Sequence, residues 1–446
     1  MKNKEISGPT SREIKALFDT HSVHEAWMEI ARRYGKVFWY QGMVATCDPD
    51  VVETLLLNKV HTDQRSKSYL LLSKIPGAKG LLFLEGEHWQ KSAQAAMPVL
   101  RKDNIDRFPE FVYRTTLTFT TKWQSEGHIE DLFTAVTELG AAIMLKVSCG
   151  LEPEDELSQL LSHQLIQYKM QTMSSEAKGR LDEFYLDASK LRSLHHIVLG
   201  LFSLWKRTGA IKKLVETFLQ ANPRTSALNN NSNNYLHNLK QAGFSLSEIA
   251  SQFNHLYGAF NAIDYSITCA LYLLSQHDEW IGRLRAEFSQ VLEGQAYPSP
   301  QHFPQLVQTM RFMKEVFRTY PVAMTVARRT GKPVRYNDGE IPAGTEVMIL
   351  LYALHHHPEF WSAPDTFNPD RWASPTPHKS FAYIPFLEGP RQCIGRHWAT
   401  LNFIVILHAL LSHYDFNILK SKVEINRYLI PRFAEKIPCQ VYPRVM

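Results

Sequence analysis

One stretch of this chain limits its possible folds more than any other. Residues 247–276 read SEIASQFNHLYGAFNAIDYSITCALYLLSQ, a run that is apolar on most sides. As an α-helix rising 1.5 Å per residue it would span about 45 Å, enough to cross a whole domain. A helix that is apolar nearly all round must be buried, so the remaining elements have to pack about it. Ser245 or Ser247 can serve as its N-cap, with Glu248 in the first turn. Small and apolar residues recur at helical spacing over 134–147 and again over 157–173. Residues 332–354 differ, because short β-like runs there are broken by Asn337-Asp338-Gly339 and Pro342-Ala343-Gly344. The expected fold class is mainly α with a minor β lobe. A single domain is expected over 1–446, helix-rich at roughly 85–320 and 395–415 and β-rich at roughly 35–60 and 320–355. The one biased stretch, 229–234 (NNNSNN), reads as a solvated loop.

Composition removes several functional classes. The formal net charge of +5 over 446 residues is too small for a nucleic-acid footprint. The N-terminus carries charge but no apolar h-region, and the longest apolar run, 403–411, falls far short of the roughly 18 residues of a membrane span. The expectation is a cytoplasmic protein without a membrane span. Five cysteines, Cys47, Cys149, Cys269, Cys393 and Cys439, show no CxxC spacing, so neither a disulfide framework nor a zinc ribbon is indicated.

One of the five stands apart. Phe386-Leu-Glu-Gly389-Pro-Arg391-Gln-Cys393-Ile-Gly395 precedes a run, 397–411, with helical periodicity. Cys393 therefore lies at a helix N-terminus, where free N–H groups and the positive end of the dipole favour a thiolate. A thiolate so placed suits iron. Gly389 and Gly395 would let backbone approach a flat cofactor, Arg391 offers a fork for a carboxylate, and Phe386 would shield the sulfur from water. The pattern F-x-x-G-x-R-x-C-x-G resembles the haem-binding signature of the cytochrome P450 family, in its soluble, bacterial-type form. Five fixed positions would recur by chance in about one chain in 10⁴. Glu315-Val-Phe-Arg318 resembles the family's E-x-x-R helix and residues 364–372 its P-x-x-F-x-P-x-R-F segment. The resemblance implies haem b with Cys393 as axial thiolate, and a structural triad of Glu315, Arg318 and Arg371 bracing the cysteine loop.

The resemblance also carries over further contacts and two departures. Trp89 would lie near a haem propionate or simply pack a helix face, and Arg328, or adjacent Arg329, would meet a propionate. The Arg usually found four residues after Trp89 is Ala93 here, so Lys91 or Gln90 is a possible replacement. In the long helix the family's acid–alcohol pair falls on Asn261 and Ala262 when counted back from His277. A register shifted by three would instead use Asp264, Tyr265 and Ser266. Neither Asn261 nor Ala262 relays a proton as an acid and hydroxyl would, and Asn261 could equally be a helix-kinking residue. Asp264 is a candidate for binding a polar or cationic group.

The implied activity is monooxygenation of a small hydrophobic or mixed-polarity substrate, in secondary metabolism, by a monomer served by a separate ferredoxin or flavodoxin and reductase. Arg396 and His397 could contribute to a docking face for that partner or be an ordinary solvated helix start. A haem-thiolate isomerase, dehydratase or peroxide-dependent enzyme is the alternative, motivated by Asn261-Ala262. Substrate-lining stretches are expected at 65–83, within 164–204, at 258–264 including Phe260, and at 322–326 through Val322, Ala323 and Met324.

Overall fold

The computed structural model describes residues 6–62, 64–74, 79–173, 194–221, 234–337, 339–374, 379–426 and 431–444. Most of the expected polar loop, 229–233, and much of the stretch 164–204 lie outside them. The central helix runs Leu246–Gln276, and Ser245 is its N-cap. Ser245 donates to the Glu248 carboxylate from both N–H (3.1 Å) and Oγ (2.8 Å), and accepts from the Glu248 N–H at 3.4 Å. This reciprocal capping box satisfies donors that the first turn cannot pair.

The most extensive helix packing on the central one comes from Leu132–Cys149, Leu194–Ala221 and Arg396–His413. Leu132–Cys149 is long and apolar enough to cross a membrane, but 78% of that window is buried inside the protein, so its apolar surface is used in the core.

The largest sheet has four strands, β1 (Val37–Tyr40), β2 (Met43–Thr46), β3 (Thr325–Arg329) and β6 (Glu346–Leu350), in the order β1-β2-β6-β3. β2 and β6 are parallel, with Val44 opposite Val347, and the other pairs are antiparallel. β4 (Val334–Tyr336) and β5 (Gly339–Ile341) form a separate hairpin. The β-like reading of 332–354 thus holds up to Leu350 and then stops. Leu351–His356 is helical, because the Leu351 N–H leaves the ladder for the Met324 carbonyl and the Tyr352 ring stacks on His356 one turn later, 3.9 Å between centroids. Four short strands, β7 (Tyr414–Ile418), β8 (Ile425–Asn426), β9 (Arg432–Phe433) and β10 (Cys439–Pro443), fall outside the β-rich stretches expected from the sequence.

Two apolar cores result. One surrounds the central helix, and the other joins the four-stranded sheet, through residues such as Phe38, to Leu55, Trp361 and Ile384. The cysteine loop lies against both, through Phe386 and Ile394 on the helical side and Leu387 on the sheet side.

Candidate functional site

The cysteine loop is closed by its own backbone. A 3₁₀ turn, Gly389–Arg391, follows Phe386, and the Cys393 N–H returns to the Phe386 carbonyl at 2.8 Å. Gly395 is then the N-cap of the Arg396–His413 helix. Cys393 is the one exposed cysteine of the five, although protein crowds it from the remaining sides. That crowding raises its pKa, opposed by the Gly395 N–H, which bonds to the sulfur, and by the Arg396 charge. Cys47, Cys149 and Cys439 are buried thiols pushed up to about 12 by burial, so none of them is a reactive thiolate. The Phe386 ring meets Phe317 edge-on at 5.6 Å and lies 5.9 Å from the Arg396 guanidinium, flanking the loop as expected.

The two glycines differ in what surrounds them. Gly389 adopts φ +79°, and a Cβ there would collide with the Leu56 carbonyl. Its lack of a side chain admits the C-terminal end of the Pro49–Leu57 helix. At Gly395 a Cβ would have only an ordinary contact, 3.8 Å from the Cys393 sulfur, so its contribution is the N–H.

Glu315, Arg318 and Arg371 do meet. The Glu315 carboxylate accepts from Arg318 Nε (2.9 Å) and Nη2 (2.8 Å), from Arg371 Nε (2.9 Å), from Trp372 Nε1 (2.9 Å) and from the Asn368 N–H (2.9 Å). Arg318 also donates to the carbonyls of His355, Pro364 and Thr366. Both side chains of the Glu315–Arg318 pair are fully buried. His355 extends the network, since its Nε2 accepts the Ile384 N–H at 3.2 Å, two residues before Phe386. The triad therefore braces the segment leading into the cysteine loop.

A second arginine group lies on the other side of that loop. Strand alternation turns Arg328 inward, 2% exposed, while Arg329 reaches out toward the Gly344 carbonyl and Glu346. Arg328 donates from Nη1 to the Ala327 carbonyl, but its buried Nε has no partner among the described residues. Arg391 stacks on the Trp89 indole, 3.8 Å from the ring centroid, and donates to the Leu84 carbonyl at 3.2 Å. The same carbonyl accepts from Arg65 Nε at 3.2 Å. Burial, and then the charges of Arg391 and Arg328, push Arg65 down to about 9.

In the sequence Arg65 stands only as the first residue of the expected substrate-lining stretch 65–83, not as an anion contact. No spacing rule marks it; the available signal is negative, since Ala93 leaves one anchor to be found elsewhere. Of the suggested replacements, Lys91 is exposed and paired with Glu87 at 2.8 Å, and Gln90 is exposed.

The central helix presents one open face. His255 and Ala262 are half-buried and Gly258 and Ala259 exposed, a stripe at helical spacing in a helix whose neighbouring positions are buried. Ala262 is on this stripe, so no hydroxyl stands at the alcohol position, and the Ser266 hydroxyl donates to the Ala262 carbonyl at 2.9 Å. The side chains of Asn261 and Phe260 lie outside the described residues. Asp264 is turned about 140° round the helix from Ala259. It is buried against the Leu132–Cys149 helix, where a Cβ on Gly140 would strike its Oδ1. Tyr265 packs on Phe433 at 5.4 Å. The shifted register and the substrate-binding reading of Asp264 are therefore both incorrect: these side chains belong to helix–helix and helix–strand contacts. Val322 and Ala323 are half-buried, whereas Met324 is buried and ends the sheet ladder through its carbonyl.

These residues fit haem. A guanidinium, Arg65, depressed by burial and by the charges of Arg391 and Arg328 calls for an anion, the orphaned Arg328 Nε marks where an acceptor is due, and a thiol with an N–H bonded to its sulfur stands nearby as an iron donor. Comparison with known proteins agrees. The family model described as "Cytochrome P450" matches residues 13–433. The chain is 23% identical over 435 residues to cytochrome P450 709B1 of Arabidopsis thaliana, covering 92% of this chain and 81% of that protein. It is 24% identical over 454 residues to cytochrome P450 734A2 of Oryza sativa subsp. japonica (93% and 78% covered) and 25% identical over 375 residues to cytochrome P450 4Z1 of Homo sapiens (79% and 72%). A match to the family model over nearly the whole chain, on a cysteine loop and an arginine cluster of this form, shows that the chain belongs to the cytochrome P450 family and is a haem-thiolate monooxygenase.

Proposed function

We propose that this chain places one oxygen atom of dioxygen into a small organic substrate, hydrophobic or of mixed polarity, at haem b. Electrons come from NAD(P)H through a separate ferredoxin or flavodoxin and its reductase, in the cytoplasm. The observation that carries this reading is the group of three arginines beside the exposed Cys393. When bound, the haem supplies dioxygen binding and redox chemistry at its iron. Cys393 would supply the sulfur ligand to the iron, and the Gly395 N–H and the Arg396 charge act against the burial that raises its pKa. Arg65, Arg328 and Arg391 hold the carboxylate side groups, and Trp89 orients Arg391 by stacking. Phe386 keeps water from the sulfur.

Proton delivery is where this chain differs from its family's usual pattern. Ala262 holds no proton, and the Ser266 hydroxyl is engaged by a backbone carbonyl. An ordered water or a hydroxyl of the substrate must then bring the proton. This position also favours a second reading, an isomerase or dehydratase acting on an organic hydroperoxide without a reductase. Incubation with labelled dioxygen, NADPH, ferredoxin and reductase separates the two, once a substrate has been found by its shift of the ferric haem spectrum. Label in the product supports monooxygenation, whereas turnover of a fatty-acid hydroperoxide with no reductant supports the other reading. In the first case Ala262→Thr should raise the ratio of product to NADPH consumed without altering haem content.

A further inference from the structure

Residues 79–84 form a short strap between the open stripe of the central helix and the arginine group, and every fixed point of the strap is visible. At its start, Lys79 pairs with Glu248 at 2.9 Å, the same carboxylate that closes the capping box of the central helix. At Gly80 the backbone runs so close to His255 that a Cβ would overlap the imidazole ring. The Phe83 and Leu84 N–H groups both turn back to the Gly80 carbonyl, at 2.9 and 3.1 Å. The Leu82 N–H donates to His255 Nε2 at 3.2 Å, and the Phe83 ring meets the imidazole edge-on, 5.5 Å between centroids. Phe83 also packs on Tyr69, whose hydroxyl accepts the Ala327 N–H beside Arg328. At the end of the strap, the Leu84 carbonyl takes both Arg65 and Arg391.

His255 is the one side chain of the open stripe that reaches the strap in this way, and its chemistry suits the task. Accepting at Nε2 requires the neutral imidazole with its proton on Nδ1. Burial pushes its pKa down to about 4, so this form is the one present at neutral pH. The group is two turns from Ala262 on the same face, about 10 Å along the helix axis. Leu82, whose N–H it holds, leaves its own side chain 44% exposed, so apolar burial of that residue contributes little to seating the strap.

We propose that His255 is a positioning residue: by accepting the Leu82 N–H it fixes the strap 79–84 as a wall of the substrate cavity and, through Leu84, sets the place of Arg65 and Arg391. The proposal rests on the monooxygenase reading only for what fills the cavity, and not for the latch itself.

Two readouts test it on the full chain. The first is tryptic cleavage after Lys79, which reports strap release whether or not haem is bound. The second is the dissociation constant of 4-phenylimidazole, a ligand for haem iron, from the difference spectrum. His255→Phe, which keeps a flat ring and removes the acceptor, should speed cleavage and weaken phenylimidazole about 5- to 10-fold, the worth of one hydrogen bond. His255→Gln, which restores an acceptor, should recover most of both. Lys79→Met removes the cleavage site and the other anchor; its phenylimidazole constant should shift in the same direction, and His255→Phe should cost more in its presence than alone. Cleavage and binding unchanged in His255→Phe, or His255→Gln no better than His255→Phe, would overturn the proposal. A wild-type chain that binds no haem overturns the haem reading instead, leaving the cleavage result to judge the latch.

Discussion

Two arginine groups flank the cysteine loop and are opposites in their electrostatics. Around Glu315 each guanidinium finds a carboxylate or a row of backbone carbonyls, and nothing in the set calls for an outside partner. Around Arg65 three guanidinium groups gather, with the Leu84 and Ala327 carbonyls accepting from them, and the Arg328 Nε has no partner among the described residues. Burying a charge is tolerated when its partner is buried with it, so the first group belongs to the fold. The second is held together by the surrounding structure against its own repulsion, and an arriving anion would relieve it. Buried arginine marks a ligand site where its charge is left unbalanced, and a structural brace where it is balanced.

The widest test of this contrast is Glu315→Ala. It strands Arg318 and Arg371 without their shared carboxylate and should cost about 3–5 kcal/mol, read as a fall in the urea midpoint with or without haem. Next comes Arg65→Leu, for which the contrast requires the opposite sign in the haem-free chain, stability unchanged or raised. Haem should then leave about 10- to 100-fold faster in a transfer assay to a scavenging globin, the worth of a charged hydrogen bond. Destabilisation of the haem-free chain to the degree of Glu315→Ala would erase the distinction. Arg391→Lys keeps the charge and loses the fork and the stack on Trp89, so haem loss should quicken only about 5-fold.

The smallest effect is a pH dependence that neither arginine group shares, because arginine stays charged throughout the window. His408, buried beneath Tyr113 and Phe288, has its pKa pushed down to about 4 by burial. Its folded-state value lies below the unfolded one, near 6.5, so the neutral form is favoured by folding. The stability it contributes is complete above pH 6.5 and is lost as the pH falls toward 4. Denaturation midpoints at pH 7.5 and 5 should show this loss, and His408→Gln should reduce it.

The brace and the ligand site were not equally legible in the sequence. Glu315, Arg318 and Arg371 sit in motifs, and Cys393 stands at the start of a helix that its apolar period announces. The central helix could be read with its cap, because a long apolar run has one stable environment. Arg65 could not, since its meaning comes from Arg328 and Arg391, which neighbour it only in space. Gly389 was legible as a required glycine but not for its reason, because the Leu56 carbonyl it admits comes from a segment more than three hundred residues earlier. Asp264 failed for a related cause: its helical face is set by packing against Gly140, and a motif count gives position along a helix without orientation about it.

One oxygen atom in the site has a history as well as a place. The Leu84 carbonyl is made early, and of its two guanidinium donors Arg65 precedes it by 19 residues while Arg391 follows it by 307. During synthesis the first half of this joint waits while most of the protein is still being added. Such a joint forms late, since contacts across so long a sequence close after local structure is in place. Taking up the cofactor is therefore the work of a finished chain and not of a growing one, since a chain stalled before residue 391 lacks Arg391, Cys393 and the Arg396–His413 helix that packs on the central helix.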